Sequence, residues 1–102
     1  MSAALHDALR ARDDDAALAA VEALPESELD AHNSGGFTPL TRAARYGSEA
    51  AVHALLLRNA SVDVVDGTDL TALMYACARG HSLISMLRGA LEKHLAHYVF
   101  LP

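Results

Sequence analysis

Tryptophan is absent from this chain of 102 residues, and the aromatic residues together make up only 5% of it. Any core therefore has to be aliphatic. Apolar residues account for 52% of the sequence, chiefly alanine and leucine. With few β-branched side chains beside them, that composition favours helices packed closely together. Cysteine is nearly missing too: Cys77 stands alone, which excludes an internal disulfide. Positive charge is scarce, with 8 Lys and Arg against 13 Asp and Glu and a net charge of −5. A nucleic-acid groove or an anionic membrane surface needs clustered basic residues, so neither is expected as a partner. No apolar run approaches the ~18 residues of a membrane span. The opening stretch, MSAALHDALRARDDD, lacks a basic segment followed by an apolar one and does not read as a signal peptide. Without such a signal, the formal glycosylation acceptor at Asn59-Ala60-Ser61 carries no weight. These absences lead us to expect one soluble, intracellular, cytoplasmic domain, long enough to bury about two-thirds of its unfolded surface without metals or disulfides.

What the chain does have is a repeat. Residues 36–47 read GFTPLTRAARYG, and residues 69–80 read DLTALMYACARG. Thr38 aligns with Thr71, Leu40 with Leu73, Ala43 with Ala76 and Gly47 with Gly80, each 33 residues apart. An earlier copy of the Leu-x-x-Ala frame lies at Leu5–Ala8, where Arg12 stands in place of the glycine. A fixed period of this length is the mark of stacked supersecondary units. Each copy opens a short helix. Thr38 is placed to cap one, with Pro39 at its first position, where the missing N–H costs nothing. Gly47 and Gly80 are expected to stop their helices as left-handed caps. A second helix follows each stop: Asp15–Leu24 carries Leu18, Val21 and Leu24, and Ser48–Arg58 carries Val52, Leu55 and Leu56, both at helical spacing. The run Asp13-Asp14-Asp15 suits a solvated turn or the first turn of a helix. Connectors at residues 29–40 and 62–73 pair an apolar residue and an Asp with turn chemistry, and read as hairpin-like loops.

Loop, short helix, turn and second helix at about 33 residues resemble the ankyrin repeat, whose hallmark is T-P-L-H-x-A. Thr38-Pro39-Leu40 matches it, with Thr41 in place of His and Ala43 in place. Gly47, Leu55-Leu56, Asn59-Ala60, Val62-Asp63 and Asp66 fall where the family has Gly, Leu-Leu, Gly-Ala, Val-Asn and Asp. The third copy is weaker: Thr71-Ala72-Leu73-Met74 replaces T-P-L-H, and Asp69 replaces the hairpin glycine. The resemblance covers about residues 3–90 and implies an all-α solenoid of three units: an N-terminal capping repeat at 1–33, a full repeat at 34–66, and a divergent repeat with a cap at 67–102. Alanines 43, 44 and 76 would lie where helices approach closely, and Leu40, Leu55, Leu56 and Leu73 would form the seam between units.

The C-terminal segment departs from the family. Arg88-Gly89 stands where a Leu pair is expected, while Leu83, Ile84, Leu87, Leu91 and Leu95 follow helical spacing. They predict one longer amphipathic helix over about 82–97. The tail that follows, Tyr98–Pro102, fits a cap folded back on the stack, an exposed apolar edge for self-association, or a cut from a longer chain.

The motifs of catalytic and metal chemistry are incomplete. Asp63-Val64-Val65-Asp66-Gly67-Thr68 resembles a phosphatase signature, but its acids are three apart where two are needed, and a hairpin tip explains it. Asp63, Asp66 and Asp69 lack the spacing of a calcium loop. His94 and His97, at i and i+3, fall short of a four-ligand zinc site. Cys77 and His81 invite a nucleophile reading, yet Cys77 stands at a small packing position and is expected buried. No phosphate loop or hydrolase elbow is present. We therefore expect no enzyme and no cofactor.

The resemblance implies a binding surface instead, a concave face of loop tips and first helices. Its variable positions fall on His32, Ser34, Gly35, Phe37, Arg45 and Tyr46 in the second unit, and on Val65, Thr68, Leu70, Ala78 and Arg79 in the third. Tyr46, Arg45 and Arg79 are of the types enriched at hot spots. Arg42, Arg45 and Arg79 suggest a partner with an acidic or mixed surface. The expected function is a protein–protein interaction module or scaffold. The alternative is a subunit that self-associates, as a homodimer, through the apolar C-terminal helix at 82–101.

Overall fold

Alanine at the points of closest approach sets the architecture. Ala43, Ala44, Ala51 and Ala76 are fully buried, together with Val21, Val52 and Leu55. Helices that meet across alanine can pack backbone to backbone, and any larger side chain at these positions would wedge them apart. The computed structural model describes residues 3–33 and 35–99. It contains six α-helices: α1 (Ala3–Ala11), α2 (Asp14–Ala23), α3 (Pro39–Tyr46), α4 (Glu49–Leu57), α5 (Ala72–Arg79) and α6 (His81–Val99), with a 3-10 turn at Glu26–Glu28. No strand occurs among the described residues. Consecutive helices pair as α1/α2, α3/α4 and α5/α6, and the pairs stack, α1 on α3 on α5 in one layer and α2 on α4 on α6 in the other. Leu5, Leu40 and Leu87 are buried in the core between the layers, while Leu56 and Leu73 pack against it from partly buried positions. The stack is the expected solenoid, in which no pair can bury its apolar face alone.

Helix ends follow the sequence closely. Asp13 caps α2 by accepting from the Ala16 N–H, and Asp14 and Asp15 lie exposed in the first turn, where carboxylates are favoured. Thr38 and Thr41 form a reciprocal capping box around Pro39 at the start of α3. Gly47 closes α3 in the left-handed conformation (φ 74°), with its N–H on the Ala44 carbonyl and the Ser48 N–H on that of Ala43. Arg12 takes the same conformation (φ 56°) with the same two bonds, to Leu9 and Ala8, so the substitution of Arg for Gly keeps the turn at the cost of a strained backbone.

Gly80 corrects the expectation. Its φ of 147° is positive, but with ψ of 169° it lies in the stretched region that glycine alone populates, not in the left-handed helical region of a cap. Its N–H still bonds the Ala76 carbonyl, and its own carbonyl accepts from the Ile84 N–H, so α6 begins at once. The long terminal helix is present and runs 19 residues, against 9 in α4. Leu83 and Leu87 are buried, with Ile84 and Leu91 partly so. The side chains beyond Lys93 and the segment 100–102 lie outside the described residues, as do the expectations placed on Leu95, His94, His97 and the tail. No described helix is long and apolar enough to cross a membrane.

Cys77 is a second correction. It is exposed, because Ala76 takes the buried position on α5 and the next residue is turned about 100° around the helix.

Candidate interaction face

The two connectors fold into the same hairpin. In the first, Asn33 and Phe37 close the loop with a bond from the Asn33 N–H to the Phe37 carbonyl, and the Asn33 Oδ1 accepts from the N–H groups of Gly35 and Phe37, each at 2.9 Å. Thirty-three residues later the Asp66 N–H bonds the Leu70 carbonyl, and the Asp66 Oδ1 accepts from Thr68 N–H (2.8 Å) and Leu70 N–H (3.1 Å). Asp69 sits at φ 63°, matching Gly36 at φ 82°. The tips touch through the Gly67 N–H and the Gly36 carbonyl at 3.0 Å. His32 Nε2 reaches the Val65 carbonyl at 2.7 Å, and Asp30 accepts from the Ser61 N–H and hydroxyl. Neighbouring hairpins are thus tied edge to edge.

Asp66 anchors the second hairpin. Its carboxylate is buried, 4% exposed, and also accepts from the hydroxyls of Thr68 and Tyr75. Burial alone would raise its pKa. The hydrogen bonds from Tyr75, Thr68 and the two backbone donors outweigh that and hold it at about 2. Burial, with the bond to Asp66, pushes the Tyr75 hydroxyl up.

Beside the hairpins lies a cluster of rings and guanidinium groups. The half-buried Phe37 ring has the Arg45 guanidinium 5.0 Å from its centroid and that of Arg42 at 5.3 Å, and it meets the Tyr75 ring at 6.5 Å. One turn along α3, the Tyr46 hydroxyl is 3.2 Å from Nε2 of His6 on α1. Burial lowers the pKa of Arg42, and the adjacent Arg45 lowers it further. The aliphatic part of Arg79 lies alongside Gly47, where an added Cβ would meet its Cδ at 3.3 Å.

The anticipated positions fall in two groups. Phe37 and Arg45 share one aromatic–cation cluster, with Tyr46 and Arg79 at the far end of α3. His32, Val65, Thr68 and Leu70 form the hairpin edge, where the Thr68 hydroxyl is already engaged by Asp66. Gly35 and Ala78 are exposed, and Ser34 lies outside the described residues. Sequence reading did not single out Asn33, His6 or Tyr75. The repeat period could have found the first, since Asn33 and Asp66 are 33 apart, as Thr38 and Thr71 are. Tyr75 stands one period after Arg42, yet nothing in the sequence says that its hydroxyl reaches Asp66. No signal links His6 to Tyr46 across 40 residues.

On the opposite layer, an open groove of about 600 Å³ runs between α4 and α6, lined by Leu56, Leu57, Val62, Met86, Gly89 and Ala90 among others. Leu57 is 71% exposed there. No three His, Cys, Asp or Glu among the described residues converge as metal ligands would.

Comparison with known proteins agrees with the stacked geometry. A family model described as ankyrin repeats (3 copies) matches residues 5–95. Protein glp-1 of Caenorhabditis elegans is 40% identical over 70 residues, which is 67% of this chain but only 5% of that protein's length. The chain belongs to the ankyrin-repeat family, whose repeats are generally protein–protein interaction modules and generally not catalysts.

Proposed function

We propose that this chain binds a partner protein through a concave face built from the hairpin tips and the first helix of each pair. The observation that carries the reading is Phe37, an aromatic side chain held half-exposed where the first hairpin closes, beneath two arginines, instead of being sunk into the seam. Rigid aromatic and arginine side chains at the centre of a surface are the residues that contribute most to association. Tyr46 and Arg79 extend the same surface along α3 and α5, and His32, Val65, Thr68 and Leu70 its hairpin edge; Ser34, outside the described residues, belongs to the same proposal by its position in the repeat. The net charge of −5 favours a protein over a nucleic acid as partner. The chain then acts by binding, without a cofactor, in a cytoplasmic setting that its single, exposed Cys77 suits. Affinity capture from the source cell tests this, with Phe37→Ala/Arg45→Ala/Tyr46→Ala/Arg79→Ala beside the wild type. A partner held by the wild type and released by the variant supports the face. Identical partners for both would move the site elsewhere.

A second reading has its own observation. The groove beside α6, lined in part by Met86, leaves Leu57 open to a second copy of the chain, which would make α6 a self-association element. A sedimentation mass that rises with protein concentration, and that Leu57→Asp returns to the monomer without loss of helicity, supports it. A monomer at all concentrations removes it.

A further inference from the structure

Four of the eight Lys and Arg of this acidic chain share one layer. Arg10 closes α1, Arg42 and Arg45 stand on α3, and Arg79 closes α5, all in the layer of first helices. Arg42 and Arg45 both contact the Phe37 ring, which holds two like charges side by side. The titratable groups that bear on Arg42 are Tyr46, which raises its pKa, and Arg45, which lowers it; no carboxylate is among them. Two neighbouring guanidinium groups, one of them half-buried, repel each other and are partly stripped of water. An anion placed between them relieves both penalties, with the planar donors of each arginine available for paired bonds to a carboxylate.

His6 adds a titrating group to the same strip. It reaches the face from α1, with Nε2 at the Tyr46 hydroxyl and its ring 5.9 Å from that of Tyr46. Burial lowers its pKa, as do Arg42, Arg10 and Arg45, while Asp7 opposes them. Those groups come from α1 and α3; α2, the other helix packed on α1, contributes no charge that bears on it.

Building on the interaction face argued above, we propose that its ligand is an acidic linear segment of the partner protein, with carboxylates seated between Arg42 and Arg45 beside Phe37, and that binding takes up a proton at His6. The direction follows from the charges. In the free chain burial, and then the surrounding arginines, favour the neutral imidazole of His6. Arriving carboxylates favour the imidazolium, so the complex holds more protons than the free chain. Affinity then rises as pH falls.

The probe is a short fluorescein-labelled peptide of alternating glutamate and leucine, with a glutamine–leucine peptide as its neutral counterpart, read by anisotropy. The expected result is at least about tenfold tighter binding of the glutamate peptide at low salt, a preference removed by Arg42→Gln/Arg45→Gln. Because Arg42 is half-buried, the exposed Arg45→Gln alone serves as the second variant, with circular dichroism confirming the fold. Between about pH 7.5 and pH 5.5, where glutamate stays largely ionised, wild-type affinity should rise by about 3- to 10-fold, and His6→Gln should flatten that rise. Equal binding of both peptides, still lost in Phe37→Ala, overturns the acidic ligand and leaves the interaction face standing. No binding of either peptide overturns the acidic ligand, and partner capture then decides the face by itself. A preference that survives both arginine variants overturns the assignment to these residues. A pH profile unchanged in His6→Gln overturns the proton coupling.

Discussion

Replacing Asp66 with asparagine separates the charge of the hairpin anchor from its shape. The chain supplies its own precedent, since Asn33 holds the equivalent hairpin with the same two backbone bonds. In Asp66→Asn the bonds to Thr68 and Leu70 therefore survive, and the negative charge facing the Tyr75 hydroxyl is what goes. A carboxyl held at about 2, against an ordinary 3.8, corresponds to roughly two pH units of preferential stabilisation. At about 1.4 kcal/mol per unit, discounted for screening at a surface hairpin, the loss at neutral pH is about 1–2 kcal/mol. For a domain of this size that lowers Tm by about 5–15 °C. Because the folded pKa is depressed, the contribution is complete above the unfolded value and fades as pH falls from about 5 through 2, with about half left at pH 3. Denaturant midpoints of wild type and Asp66→Asn, measured in parallel from pH 7 to pH 3, should converge by that amount. The parallel measurement cancels the other carboxylates. Asp66→Ala, which leaves two backbone N–H groups and two hydroxyls without their acceptor, should cost about 1–2 kcal/mol more than the asparagine. A gap between wild type and asparagine that is absent at pH 7, or unchanged at pH 3, refutes the reasoning.

Four further outcomes follow from the packing. Ala43→Leu places a bulky side chain at a fully buried position on α3 and should cost about 1–3 kcal/mol, seen as a lower thermal midpoint; a variant that melts like the wild type would show a looser seam. Gly36→Ala forces a Cβ to within 2.8 Å of the Gly67 backbone at φ 82°, and should cost about 2–4 kcal/mol through left-handed strain and the parted hairpin tips. Gly35→Ala, whose Cβ would meet only the Phe37 and Asn33 side chains at 3.4 Å or more, should stay within about 0.5 kcal/mol by the same chemical denaturation. Arg58→Met removes the Nη1 that donates to the Val21 and Leu24 carbonyls at 2.7 Å, and faster hydrogen exchange at the end of α2 should report a loss of about 1–3 kcal/mol.

The repeat made most of the fold readable, because a residue that recurs at one period is answering the same local demand each time. Thr38, Pro39, Gly47 and the buried alanines act through contacts close along the chain or through a seam that every unit shares, so their roles follow from the order of residues alone. Gly80 shows where that reasoning stops. It matches Gly47 in sequence, yet α6 starts one residue later, and the junction needs a stretched backbone at positive φ where Gly47 needs a left-handed helical one. Cys77 shows the same limit on a helix surface: a small residue at a family packing position suggested burial, but its neighbour Ala76 occupies the seam. The interaction face was legible as a set of positions and not as a constellation. Phe37 and Arg45 could be chosen from where they fall in the repeat. That two arginines flank one ring, and that His6 comes up beside Tyr46 from another unit, depends on how far α1 and α3 are rotated as they stack. Pair stacking is decided by the apolar seam, and the seam says nothing of the polar side chains it carries to the surface. A repeat protein can therefore keep its period and still present a different face in each copy. The arginines flanking Phe37 sit on such a face, free of the constraint that fixes Ala43 one residue beyond Arg42.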